Sequence, residues 1–206
     1  MAAESVALDV DGDSYPGRVN EPDEPADSGV LVLPGLNHGP FGDVFDEFAR
    51  AAAEDGHLVA RFETWADPDD LDAKSEDDME RELAAGVDFL RDRGRSPVSV
   101  VAKSFGGRLA LTHLPREHVD RLVLWAPAVF VGEHDERPSI TADELSDIDR
   151  PTRVLQGTAD DIPVENAREM ADHLPNGESV VLPGEDHSFQ RDRERIVAET
   201  LDAIPE

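Results

Sequence analysis

Short runs of consecutive apolar residues, each too brief to be a helix and each followed by a helical pattern, recur along this 206-residue chain. Val30-Leu31-Val32-Leu33, Val98-Ser99-Val100-Val101 and Leu122-Val123-Leu124-Trp125 present apolar side chains on both of their alternating faces. A strand of that kind is covered on both sides, which is the environment of a parallel sheet. After the first run, Val44, Phe45, Phe48 and Ala52 repeat at helical spacing and stop at Gly56, and residues 57–62 form another strand. Strand, helix, strand is the unit that builds a doubly wound sheet with right-handed crossovers.

The remaining segments extend the same alternation. Val6-Ala7-Leu8-Asp9-Val10 alternates at strand period, meets the turn Asp11-Gly12-Asp13 and continues into residues 15–19, predicting an opening antiparallel hairpin. Residues 67–78 read as an acidic loop, in which Ser75 and Asp78 cap a helix that buries Met79, Leu83, Val87 and Leu90. Beyond Trp125 lies a polar, irregular stretch, residues 129–150, short enough to be a small lid. A strand at 153–155, a loop at 157–161, a helix with Val164, Ala167, Met170 and Leu174 inward, a strand at 179–182 and a final helix with Ile196, Val197 and Leu201 complete the chain. The fold class expected is α/β, a mostly parallel doubly wound sheet with helices on both faces, in one domain spanning 1–206.

Charge narrows the partners. Asp and Glu number 47 against 19 Lys and Arg, a formal net charge of -28. Such a surface repels a phosphate backbone, so nucleic acid is not expected as a partner. No apolar stretch approaches the length that spans a bilayer, and a soluble, cytoplasmic protein is expected. Cysteine is absent, which removes thiolate ligands and cysteine nucleophiles. His38, His134, Asp135 and Glu136 lack a metal-ligand spacing, and the chemistry read below calls for neither metal nor cofactor.

In an open parallel sheet the reactive groups sit in the loops beyond the carboxyl ends of the strands. Three such loops hold a serine, an acid and a histidine. Ala102-Lys103-Ser104-Phe105-Gly106-Gly107 places Ser104 at a strand-to-helix turn; the usual pattern is G-x-S-x-G, so Gly106 fits and Ala102 departs by one methyl. Leu155-Gln156-Gly157-Thr158-Ala159-Asp160 puts an acid after a strand, with Asp161 its rival. His187, in Gly184-Glu185-Asp186-His187-Ser188-Phe189, follows the last strand.

The order Ser104, Asp160, His187 resembles that of the α/β-hydrolase superfamily over nearly the whole chain, particularly compact dienelactone-hydrolase-like members. It is also similar to small testis-expressed-protein-like hydrolases, in which a basic residue precedes the serine as Lys103 does here. The resemblance implies Ser104 as nucleophile, His187 as general base and Asp160 as the acid orienting it. It further implies an oxyanion hole made by the amide of Phe105 and a second amide from the glycine-rich loop 33–42, with Leu36 the donor and Asn37 the alternate. Asn37 and His38 are candidates for the substrate pocket, and Trp65, Trp125 and Phe130 for its lining or for the core. The activity implied is hydrolysis of a small carboxylester or lactone through an acyl-enzyme. A catalytically silent binding module on the same fold is the alternative, motivated by Ala102 and by Pro34 in a loop where histidine is frequent. A flavodoxin-like or Rossmann nucleotide binder is disfavoured, because G-x-G-x-x-G and Walker A patterns are missing.

Only Lys74 and Lys103 are lysines, and carboxylates occupy every predicted surface, a composition that resembles proteins of salt-accumulating halophiles. Molar salt shortens the screening length to about 3 Å and removes much of the self-repulsion. Urea melts at low and at molar KCl should show a clearly higher midpoint at molar KCl; equal midpoints would overturn this reading.

Overall fold

The computed structural model describes residues 3–24, 27–37, 39–114 and 118–205. Strands β1 (Glu4–Val10) and β2 (Asp13–Asn20) form the expected hairpin, with Val10 opposite Asp13 across a turn in which Asp11 and Gly12 both take positive φ. Next come β3 (Gly29–Leu33), α1 (Asp43–Glu54) and β4 (Leu58–Phe62). Helices α2 (Pro68–Asp72) and α3 (Glu76–Arg91) precede β5 (Val98–Lys103), α4 (Phe105–Thr112) and β6 (Arg121–Trp125). The short strands β7 (Phe130–Val131) and β8 (Ser139–Ile140) and helix α5 (Ala142–Ser146) lead to β9 (Thr152–Gly157), α6 (Val164–His173), β10 (Gly177–Leu182) and α7 (Arg193–Leu201).

The main sheet has eight strands in the order β1-β2-β4-β3-β5-β6-β9-β10, antiparallel as far as the β2–β4 pair and parallel from β4 onward. The period of two sorts each apolar run onto two cores. Leu31, Leu33, Val98, Val100, Leu122 and Leu124 face one side, where Leu83, Val87 and Leu90 of α3 and Met170 of α6 cover them. Val30, Val32, Val101, Val123 and Trp125 face the other, under Phe45 and Phe48 of α1 and Ile196 of α7. Trp125 is fully buried there; its ring stacks on Phe45 at 5.8 Å and its Nε1 donates to Thr200 Oγ1 at 2.9 Å. No helix among the described residues is long and apolar enough to cross a membrane.

Two stretches are more regular than their sequence suggested. The acidic stretch 67–78 contains α2, because Pro68 presets φ at the first helical position and the Asp67 carboxylate accepts from the amides of Asp69 and Asp70. Within 129–150, Thr141 and Glu144 form a reciprocal capping box on α5. Ile140, Leu145 and Ile148 are buried, and the Asn166 side chain of α6 donates to the Val129 carbonyl and accepts from the Val131 amide. These contacts fasten the stretch to α6.

The Ser75–Asp78 cap forms as its spacing predicts: the Asp78 amide donates to Ser75 Oγ at 3.2 Å and the Ser75 amide to Asp78 Oδ2 at 2.9 Å. Ser75→Ala should therefore cost about 0.5–2 kcal/mol of stability, read as a shift in urea midpoint at unchanged slope.

Candidate active site

Ser104 is the turn between β5 and α4, and its backbone sits at φ 53, ψ -114. A residue with a Cβ is strained there, and such strain persists only where the surroundings over-determine it. They do so here. The Ser104 amide donates to the Trp125 carbonyl at 2.9 Å, and the Ser104 carbonyl accepts from the amides of Arg108 and Ala128 at 3.1 and 2.9 Å. The Gly106 amide donates to the Pro34 carbonyl at 3.1 Å, and a Cβ on Gly106 would stand 2.5 Å from that oxygen and 2.9 Å from Leu33 Cβ. Gly107 is hemmed in by Pro127 in the same way. Ala102, by contrast, has room: it is fully buried in the core between Leu33 and Leu124, so the methyl that breaks the usual glycine pattern is absorbed by packing.

Ser104 Oγ lies 2.8 Å from His187 Nε2, and His187 Nδ1 lies 2.9 Å from Asp160 Oδ2. The other carboxylate oxygen of Asp160 accepts from the Ile162 amide at 2.9 Å. The Asp160 side chain is 1% exposed and the His187 ring 41% exposed, so the acid is interior and the imidazole faces solvent. Burial by itself pushes the Asp160 carboxyl up, but the hydrogen bonds from His187 and the Ile162 amide outweigh it and hold the group below the ordinary carboxylate value. Asp161, the rival acid, is exposed, and no hydrogen bond joins it to His187.

The loops that carry these groups are tied to each other. The Ala159 amide donates to the Glu185 carbonyl at 2.8 Å and the Gly184 amide to Thr158 Oγ1 at 2.8 Å, fixing the loop after β9 against the loop after β10. Glu185 is buried and its carboxylate accepts from the amides of Arg191 and Asp192, while Asp186 accepts from the Ser188 amide and hydroxyl. Both acids beside His187 are thus spent on the turn. Phe189 is fully buried, 6.2 Å from the Trp125 ring, and pins the histidine loop into the core. Of these two supports, Phe189 alone carries a signal in the sequence, a phenylalanine two residues beyond the histidine in a polar turn, whereas nothing local marks Glu185 as buried.

On the opposite side of Ser104 is the loop after β3. A Cβ on Gly35 would stand 3.4 Å from Ser104 Cβ, and the Gly35 carbonyl accepts from Trp65 Nε1 at 3.0 Å. Phe105 is the first residue of α4, so its amide has no carbonyl one turn back to bond. Ser104, Phe105 and Leu36 share one cavity of about 450 Å³, whose walls include Leu71 of α2, Met79 of α3 and Arg108 of α4. Asn37 is exposed and outside that lining, and His38 lies outside the described residues. Trp65 is buried edge-on against Phe105, behind the cavity wall. Trp125 belongs to the far core, and Phe130 is half-buried with its ring edge on His134 and away from the cavity lining. The wall from α2 has no signal in the sequence, because residues 67–78 read as a loop, and Met79, expected in the core under α3, is only half-buried and borders the cavity. Lys103 points elsewhere, into a smaller cavity of about 230 Å³ with Asp43 and Gln190; burial lowers its ammonium pKa, opposed by the carboxylates of Asp160, Asp186 and Asp43.

A parallel sheet with a left-handed serine after its fifth strand, and an acid and a histidine in the loops after its last two strands, defines the α/β-hydrolase fold. The chain belongs to the α/β-hydrolase domain family, whose model matches residues 35–203. Solved structures share the fold at low identity. The esterase Est1E from Butyrivibrio proteoclasticus superposes with a TM-score of 0.79 at 13% identity, covering 96% of each chain. A dienelactone hydrolase from Anabaena variabilis gives 0.78 at 15% identity, covering 98% of this chain and 96% of that one. An esterase from Pyrococcus furiosus gives 0.75 at 16% identity, covering 98% and 91%. No curated protein matches the chain in sequence.

The depressed Asp160 pKa has a consequence for stability. Its carboxyl titrates near 3.8 in the unfolded chain and lower in the folded one. Its contribution is therefore present above that unfolded value and is lost as pH falls through the folded value. At fixed salt, the stability gap between wild type and Asp160→Asn should be widest near neutral pH and should shrink on acidification below about pH 4, measured by urea melts.

Proposed function

We propose that this protein is a serine hydrolase that cleaves small carboxylesters or lactones through an acyl-enzyme on Ser104. The observation that carries this reading is the continuous hydrogen-bonded line from Ser104 Oγ through His187 to the buried Asp160 carboxylate. Asp160 holds the imidazole with its proton on Nδ1, leaving Nε2 free to accept the Ser104 proton as the oxygen attacks the ester carbonyl. The tetrahedral oxyanion forms between the Phe105 and Leu36 amides, which develop their full electrostatic effect in a site shielded by Trp65 and the cavity walls. Protonated His187 then gives its proton to the leaving alkoxide, and a water activated by His187 releases the acid. No step requires a cofactor.

A cavity of about 450 Å³ with Leu36, Leu71, Met79 and Phe105 in its walls suits a small, partly apolar ester. The relatives in shape support this substrate class: Est1E has been solved with ferulic acid bound, and others are dienelactone hydrolases and esterases. We assign residues 129–150 to one side of the entrance to this cavity, with Pro138 at the wall beside Ala128, which immediately precedes the stretch.

Intact-mass labelling of the full chain with a fluorophosphonate should give a single adduct that Ser104→Ala abolishes and Ser188→Ala retains. With p-nitrophenyl acetate, Asp160→Asn should lower kcat by about 10³–10⁴-fold, because the imidazole loses its preferred tautomer. Folded wild-type protein that takes no adduct would overturn the hydrolase reading in favour of a binding module.

A further inference from the structure

At the antiparallel margin of the sheet, β1, β2, β4 and α1 enclose a second cavity of about 390 Å³. Its walls carry Arg18, Arg50 and Arg61, together with Asn20, Ser5 and one acid, Asp46. Three guanidinium groups against one carboxylate is the reverse of the balance elsewhere on a chain of net charge -28. Other arginines on this surface sit among carboxylates: Arg153 meets Glu178 and Asp202, and Arg193 meets Glu47 and Asp43.

The walls are built, with one side chain wholly interior. Arg61 is 1% exposed; its Nη1 donates to Asp46 Oδ1 at 2.5 Å and to the Pro40 carbonyl at 3.1 Å, and its Nη2 donates to Asn20 Oδ1 at 3.0 Å. Its Nε is buried and has no partner among the described residues. Arg18 stands 3.9 Å from the same Asp46 oxygen, over the Phe41 ring at 4.5 Å. Arg50, one turn along α1 from Asp46, is exposed and makes no ion pair among the described residues. Asp46 thus neutralises one guanidinium at most, and the remaining cations repel one another across a concave surface. Burial and the charge of Arg18 both disfavour the charged form of Arg61, with only Asp46 opposing. An arrangement of this kind is stabilised by a multivalent anion, and the planar fork of arginine matches tetrahedral oxyanions.

We propose that this cavity is a binding site for a phosphate group, held by Arg18 and Arg50 at its rim and oriented by the interior Arg61. Its lining shares no residue with the cavity at Ser104, so the proposal stands whether or not Ser104 is a nucleophile. The volume exceeds what a bare phosphate fills, leaving room for a small organic substituent. Through Pro40 and Phe41, the occupied site would brace the same loop that holds Gly35 and Leu36 beside Ser104.

The test is calorimetric titration of the full chain with inorganic phosphate and, separately, with glycerol 3-phosphate, at constant ionic strength in enough KCl to keep the fold. Saturable binding at millimolar concentration or below is expected, weakened about tenfold or more by Arg50→Gln or Arg18→Gln, both rim positions whose folding is checked by circular dichroism. Tighter binding of glycerol 3-phosphate would assign the site to a phosphate carried on an organic molecule, and equal binding to free phosphate. Absence of saturable binding, or equal affinity in wild type and both variants, would overturn the proposal.

Discussion

The turn at Ser104 is the constraint on which the rest of the site depends. For β5 to pass directly into α4, the helix must start almost against the loop after β3, and the contact of the Gly106 amide with the Pro34 carbonyl measures how close that approach is. A side chain at Gly106 would push the two loops apart, taking Gly35 and Leu36 away from the serine. The left-handed backbone of Ser104 follows from the same geometry, since it lets the chain reverse within one residue while its amide and carbonyl stay bonded to Trp125 and to Arg108 and Ala128. Strain is thus stored at the residue whose oxygen must project from the sheet, and the hydrogen bonds around it supply the compensation.

Electrostatics act on a different scale. With few cations available, the chain places them at seams: Arg153 joins β9, β10 and α7 through Glu178, Asp202 and the Glu199 carbonyl, and Arg193 joins α7 to α1 through Glu47. Exposed pairs of this type contribute little individually, about 0–1 kcal/mol, and salt weakens them. The same salt weakens repulsion among a far larger number of unpaired carboxylates, so the repulsive part of the balance is the larger one to disappear. Interior contacts such as Tyr15 with the buried Glu82, itself paired with Lys74, are screened less and hold under either condition.

Much of this was legible in the sequence because the signals were local and redundant. Val30 to Leu33, Val98 to Val101 and Leu122 to Trp125 could only be strands covered on both faces, and that is where they lie. Ser75 and Asp78 predicted a helix start from hydrogen-bond chemistry alone. Ser104, Asp160 and His187 were identifiable because each stands in a loop after a strand, and the structure brings the three within hydrogen-bonding distance. The α2 wall of the Ser104 cavity was hidden for a physical reason: α2 buries no residue and is held by its cap, so it has no apolar period to detect. The arginine cavity was hidden because Arg18, Arg50 and Arg61 are distant in sequence and meet only through the antiparallel β2–β4 pair and the packing of α1 on it.

That weak helix shapes how the molecule can change. The serine turn, the acid loop and the histidine loop are each anchored in the core by Trp125, Phe189 or a buried strand end, so alterations there disturb packing as well as chemistry. Pro68 and Leu71, in contrast, reach the Ser104 cavity from a segment that buries no residue and touches the core only where the partly buried Leu71 packs against its edge. Selection on ligand shape and selection on thermal endurance therefore fall on separate parts of the chain, and a lineage could remodel one flank of the cavity repeatedly while its scaffold stood still.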